Sequence, residues 1–223
     1  MKVPFFSRRR RRRPADPAAP PHRGGRLHVG AGRERFDDWV NLDIQDLPGV
    51  DVVADVTAGL NFRDMEAVYA EHFLEHLRID HAVNFLADCH QALADGGWLR
   101  LSTPNLEWVL MSHYDVDAPE EERQAQAVSL NRAFHGWRHR FLWNQPLLGR
   151  ALNACGFPQV TWCRYGESHR PEFAGLERHE TYDDSDDYPH VLIAEARKGP
   201  ADPDALAELR REIAREFLNH LDD

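Results

Sequence analysis

The chain has 223 residues, 42% of them hydrophobic and 29% charged, which suits one domain with a core of ordinary size and excludes collagen-like, coiled-coil and wholly disordered classes. Its net charge of −10 is unevenly placed: residues 1 to 26 carry nine basic groups against Asp16, a balance of +8, and the remainder carries −18. So acidic a body excludes non-specific nucleic-acid binding by the domain itself, which needs a positive face.

The segment from Pro4 to Gly25 is Arg, Pro, Ala and Gly with almost no periodic apolar residues, and it reads as a disordered arm spanning residues 1–25. Its run Arg8 to Arg13 is either a solvated charge run or an electrostatic tether to an anionic membrane surface or nucleic acid. No basic-then-apolar leader and no apolar run of about 18 residues is visible, and Cys89, Cys155 and Cys163 form no ligand pattern. A cytoplasmic protein with buried thiols is expected.

Structure should begin at Arg26, where Leu27-His28-Val29 enters the glycine turn Gly30-Ala31-Gly32. Short apolar runs follow at Trp39 to Ile44, Val50 to Ala54, Ala67 to Ala70 and Trp98 to Ser102, which read as buried parallel strands. Between the last two, Asp80 to Ala94 has helical spacing and stops at Asp95-Gly96-Gly97, completing a βαβ unit. Further helices are expected over Asn105 to His113, burying Leu106, Val109 and Leu110, over Glu120 to Ala133 at the periphery, and over Gln145 to Ala154 with a Gly156 stop. Phe157 to Tyr165 and His190 to Ala196 look like strands separated by a polar loop, and with no crossover helix between them they should pair antiparallel. After Pro203, Leu206, Leu209, Ile213, Phe217 and Leu221 fall on one helical stripe expected to pack on its own domain. The expected division is an arm (1–25), a catalytic domain (26–198) and a helical extension (199–223).

The chemistry begins at the glycine turn. Main-chain N–H groups at the carboxyl edge of a parallel sheet are where open α/β folds bind ligands, and glycine lets a ligand approach them. Asp43 ends the next apolar run, where a carboxylate accepts from both hydroxyls of a ribose, and Asp55 ends the third. Singly, each acid is as readily a turn former or helix cap. Together, at successive strand ends, they read as an adenosine clamp. The third glycine of a dinucleotide fingerprint is replaced by Arg35, which disfavours pyrophosphate and leaves S-adenosylmethionine as the better adenosine compound.

The ordered set Leu27 to Gly32, Trp39 to Ile44, Asp55, Val68 to Leu77 and Gly96 to Asn105 resembles the class I S-adenosylmethionine-dependent methyltransferases, in particular predicted bacterial ones with a short first crossover. The resemblance, which covers about Arg26 to Lys198, implies an α/β, Rossmann-like fold with a mostly parallel sheet ending in an antiparallel strand pair, to which the spacing after Pro203 adds a C-terminal amphipathic helix. It implies that Gly30, Ala31 and Gly32 line the methionine and ribose, that Asp43 with Ile44 holds the ribose, and that Asp55 and Val56 meet the adenine. Ala70, Glu71 and His72 would border the sulfonium and the acceptor. His28 stands where larger branches carry an acid, and Arg33 to Asp38 is too short for a full crossover helix, so a single helical turn is expected there.

The implied activity is methyl transfer to a small-molecule or sugar acceptor, with O-methylation as one form. A hydroxyl acceptor needs its proton removed, and His is the usual base near neutral pH. The candidates are His72, His76, His135 and His139, with His72 preferred and His139 second. Arg138 or Arg140 would suit an anionic acceptor group. Two rival readings stay open. His72-Phe73-Leu74-Glu75-His76 fits the inverted zinc-peptidase motif HxxEH, and a four-His site adding His135 and His139 is conceivable, although the favoured reading assigns no metal. The other is a non-catalytic module that keeps the fold and docks by its arginine arm.

Overall fold

The computed structural model describes residues 20–179 and 188–221. Residues 1–19, which hold the Arg8 to Arg13 run, lie outside the described residues. The expected start at Arg26 is too late: β1 (His22–Arg23) pairs in parallel with β5 (Phe62–Arg63) as a small separate sheet.

The main sheet contains β2 (Arg26–Val29), β3 (Val40–Asp43), β4 (Val52–Val53), β6 (Met65–Glu71), β7 (Leu93–Pro104), β8 (Gln159–Cys163) and β9 (Val191–Arg197). Its spatial order is β4-β3-β2-β6-β7-β9-β8. It is parallel from β4 to β7, and β9 runs antiparallel to both β7 and β8. The chain moves outward from β2 to β4 and then returns to the other side of β2 at β6. That reversal is the switch point at which doubly wound sheets bind ligands.

Alternation along the strands divides the two faces. Leu27, Val29, Val68, Ala70, Leu99 and Leu101 point to a core completed by α1 (Ile79–Ala92), α4 (Gln145–Ala154) and α5 (Pro203–Glu216). In α5, Leu209 and Ile213 are buried and Leu206 and Phe217 pack at the margin, so most of the stripe covers its own domain as expected. Leu221 departs from it: the helix ends at Glu216 and Leu221 is exposed. Another departure is in α2 (Leu106–His113), where Val109 is buried but Leu110 is exposed. Val109 packs against Ala133 and Leu142, beside α3 (Glu120–His135), while Leu110 faces away from that cluster. The Asp95-Gly96-Gly97 stop also shifts: α1 ends at Ala92 and these residues open β7, with Gly97 pressed against the Met65 and Ala94 carbonyls.

On the opposite face one transverse row, in register, runs Asn41, His28, Tyr69, Arg100, Glu195, Thr161. Residues 30–39 form turns without the expected helical turn. The fully buried Asn41 fastens them: its Nδ2 donates to the Phe36 and Trp39 carbonyls at 2.9 Å each, and its Oδ1 accepts from Phe36 N at 3.0 Å. Phe36, Trp39, Tyr69 and Phe173 then form an apolar layer over the row. Burial lowers the proton affinity of His28, whose Nδ1 lies 3.2 Å from Asn41 Oδ1 and whose ring stacks on Phe36. Among the described residues no helix is long and apolar enough to cross a membrane.

Candidate cofactor and catalytic site

The carboxyl ends of β2, β3, β4 and β6 deliver Gly30, Asp43, Asp55 and Glu71 to one edge of the sheet. After β2 the chain turns through left-handed glycines, Gly30 at φ 70° and Gly32 at φ 57°. They differ in surroundings. A Cβ on Gly30 would lie 2.5 Å from the Phe73 ring, so its smallness serves packing. Gly32 faces open space, with nothing nearer than the Gly30 carbonyl oxygen at 3.9 Å. Ala31, buried between them, donates its N–H to the Leu42 carbonyl at 3.0 Å.

Asp43 is fixed by this turn. Its Oδ2 accepts from Gly32 N at 2.9 Å and its Oδ1 from Gln45 N at 2.7 Å. A carboxylate has about four acceptor sites, so two remain, the number a ribose diol uses. The neighbouring Ile44 is 63% exposed at the rim. Asp55 takes up the local role of a cap: its Oδ1 accepts from Thr57 N and Thr57 Oγ1 at the start of a 3-10 turn, Val56–Ala58. Val56 itself is buried, with its carbonyl accepting from Gly59 N.

At the end of β6, Ala70 is buried beside Val29, and Glu71 turns toward residues that sequence reasoning missed. Its Oε1 accepts from Arg178 N (2.7 Å), His179 N (2.9 Å) and His179 Nδ1 (2.6 Å), and its Oε2 accepts from Tyr69 Oη (3.1 Å). Burial alone would raise this carboxyl. The hydrogen bonds from the His179 ring and the 178–179 main chain outweigh it and hold the group down to about 2. With three of those donors on Oε1 and one on Oε2, Glu71 anchors the segment that walls the site. Burial and the Glu71 charge raise the Tyr69 phenol.

The wall itself is held by a buried charge cluster. Arg100 Nε donates to Glu177 Oε1 at 2.6 Å and its Nη1 to Glu195 Oε1 at 2.5 Å, all three side chains being buried. The fully buried Phe173, in the same segment as Glu177, packs against Trp39 in the apolar layer.

His72 is the first residue past β6 and adopts a left-handed φ of 44°. Its Nδ1 lies 2.9 Å from Oε1 of the fully buried Glu75, whose Oε2 accepts from Thr103 Oγ1 at 3.0 Å. The buried Nε2 has no hydrogen-bond partner among the described residues. Burial would lower this imidazole's proton affinity, but the hydrogen bond and charge of Glu75, with the charge of Glu71, raise it overall. A His–Glu–Thr relay with one unoccupied ring nitrogen can accept a proton and be steadied once charged. Sequence reasoning named His72 but missed Glu75 and Thr103 as its supports. The i, i+3 spacing of His72 and Glu75 was the readable signal.

The HxxEH motif does not form its zinc-peptidase geometry. Leu74–His76 is a 3-10 turn, and the two histidines diverge, His72 toward His179 and His76 toward His139. The four-His grouping is not assembled either: α3 ends at His135, which is exposed, so His139 is not one helical turn beyond it. Arg138 and Arg140 are exposed.

No family model matches the chain, and no curated protein matches it in sequence. Solved structures do match in fold. One, an S-adenosylmethionine-dependent methyltransferase and possible histamine N-methyltransferase from Thermotoga maritima, is 14% identical with a TM-score of 0.51 over 81% of this chain and 84% of that one. An S-adenosylmethionine-dependent methyltransferase from Archaeoglobus fulgidus is 16% identical with a TM-score of 0.50 over 80% of this chain and 87% of that one. The chain spans 64% of a possible exported protein from Bordetella parapertussis, 13% identical over 81% of this chain with a TM-score of 0.49. The fold is that of the class I S-adenosylmethionine-dependent methyltransferases.

Proposed function

We propose that the protein transfers a methyl group from S-adenosylmethionine to a hydroxyl of a small-molecule or sugar acceptor. The observation that carries this reading is the placement of Asp43, with two free acceptor sites beside the open Gly32, at the same sheet edge as the His72–Glu75–Thr103 relay. Asp43 and Gly32 suit the ribose end of the cofactor, the space beside Gly32 being open.

S-adenosylmethionine when bound supplies a methyl group on a positive sulfur, which leaves as the acceptor attacks. Because charge is lost at sulfur, the protein's tasks are alignment, exclusion of water and removal of the acceptor proton. His72 Nε2 takes that proton, and Glu75 steadies the resulting imidazolium from the other side of the ring. The 164–179 loop, held by Glu177 on Arg100 and by Glu71 on residues 178–179, keeps water from the methyl path. A hydroxyl acceptor is favoured by the relay, since proton removal is what an oxygen acceptor needs and a sulfur or amine acceptor needs less.

Calorimetric titration of S-adenosylmethionine into the full chain tests the reading. Saturable binding below about 1 mM is expected, and folded protein that binds none at millimolar cofactor overturns it.

A further inference from the structure

Glu75, His76 and His139 each present a donor atom, and the three atoms lie within 4.8 Å of one another. We propose that these residues form a second site, two imidazoles and one carboxylate arranged for a divalent transition-metal ion, with zinc as its best occupant. The site clips the 136–141 segment to the turn that follows β6.

Several features hold the three donors where they are. The Glu75 carbonyl accepts from Arg140 N at 2.7 Å and Phe141 N at 3.2 Å, which seats the later segment directly against the Leu74–His76 turn. His139 reaches it because two consecutive residues, Trp137 at φ 48° and Arg138 at φ 67°, adopt left-handed conformations just after α3. Such conformations are unfavourable for a non-glycine residue and gather where a function requires them. The His139 ring then donates from Nδ1 to the Ala133 carbonyl at 2.9 Å. That bond fixes the tautomer and leaves Nε2 with its lone pair, the arrangement in which histidines bind metals. The His76 ring lies edge-on to it with centroids 5.5 Å apart.

Glu75 supplies the third donor. Its side chain is buried and oriented by His72 and Thr103, one on each oxygen, and a carboxylate so held still has lone pairs to give. Two imidazoles and a carboxylate are a borderline-soft set that suits zinc better than calcium or magnesium, which take oxygen ligands. In a zinc site the donors stand about 3.3 Å apart, as follows from bonds of about 2.0 to 2.1 Å in tetrahedral geometry. The exposed His76 ring has room to turn inward and close that difference. Three protein ligands leave coordination open to water or another oxygen ligand. This set is not the inverted peptidase motif, in which both His72 and His76 would bind the metal and Glu75 would not.

The test is calorimetric titration of zinc chloride into full-length protein stripped with chelator, beside the variants His76→Gln, His139→Gln, the double variant, and His113→Gln as a control. One zinc per chain with micromolar or tighter affinity is expected, with each single variant weakening it roughly tenfold or more and the control unchanged. Circular dichroism checks that the variants fold. Should His139→Gln unfold, the surface variant His76→Gln alone carries the test. Absence of zinc binding at about 1 mM, or binding that persists in the double variant, overturns the proposal. Titration with S-adenosylmethionine in parallel separates the two readings, because cofactor binding without zinc binding rejects the metal site and leaves methyl transfer intact.

Discussion

The Glu71 carboxylate, the last group of β6, lies 2.6 Å from the Nδ1 of His179 although 108 residues of chain separate them. The contact joins the sheet edge to the loop after β8, and two main-chain N–H groups of that loop donate to the same oxygen. The wall of the site is thus tied at this acid as well as at the Arg100–Glu177 pair.

That tie should be visible in the pH dependence of folding. The Glu71 carboxyl is held at about 2, below the ordinary glutamate value of 4.5. Because the folded value is depressed, its contribution is fully present above pH 4.5 and is lost as pH falls toward 2, with an upper size of about 3 kcal/mol. Urea melts at pH 7 and pH 3 should show part of this loss in the parent and a smaller one in Glu71→Gln. Parallel losses in both proteins would remove Glu71 from the account.

Asp43→Ala should weaken S-adenosylmethionine binding by about 1 to 3 kcal/mol, since buried or paired hydroxyls lose their acceptor. Calorimetry reads this directly. The same variant frees the Gly32 and Gln45 N–H groups, so its melting temperature must be recorded beside the affinity. Unchanged affinity in a folded variant would place the ribose elsewhere.

In metal-free protein His72 should titrate above the ordinary histidine value near 6.5, and Glu75→Gln should bring it down, because the hydrogen bond and charge of Glu75 oppose its burial. Proton NMR of the imidazole across roughly pH 5 to 9 measures both without needing the acceptor. A His72 signal that ignores the Glu75 substitution would break the relay.

Gly30→Ala and Gly32→Ala separate packing from access. Both pay for a left-handed backbone, about 1 kcal/mol or more, but only Gly30→Ala also drives a methyl into Phe73 and should lose a further 1 to 3 kcal/mol or so. Gly32→Ala should instead act mainly on cofactor affinity. Denaturant melts and calorimetry on both variants discriminate the two effects.

Much of the helical scaffold and the sheet edge was readable because its signals are local. Apolar spacing marked α1 and α4 close to their observed bounds and the start of α5, and the glycine turn and Asp43 were legible as strand ends at one edge of the sheet. Asp55 also has a local role that the sequence allowed, its Oδ1 capping Thr57 two residues on. What stayed hidden depends on residues far apart in the chain. Asn41 stands in for the missing crossover helix by bonding to Phe36 and Trp39, and a lone asparagine in a strand has no pattern that announces this. Glu177 and His179 sit in a polar stretch without periodicity, and only the folded sheet brings them to Arg100 and Glu71.

The insertion of β9 between β7 and β8 has a bearing on how the chain is made. When β7 leaves the ribosome, Arg100 has neither Glu177 nor Glu195, and a guanidinium cannot enter the interior uncompensated. That half of the sheet must stay open until Glu177 and then Glu195 of β9 have been synthesised, and β9 is the strand that closes it over Arg100.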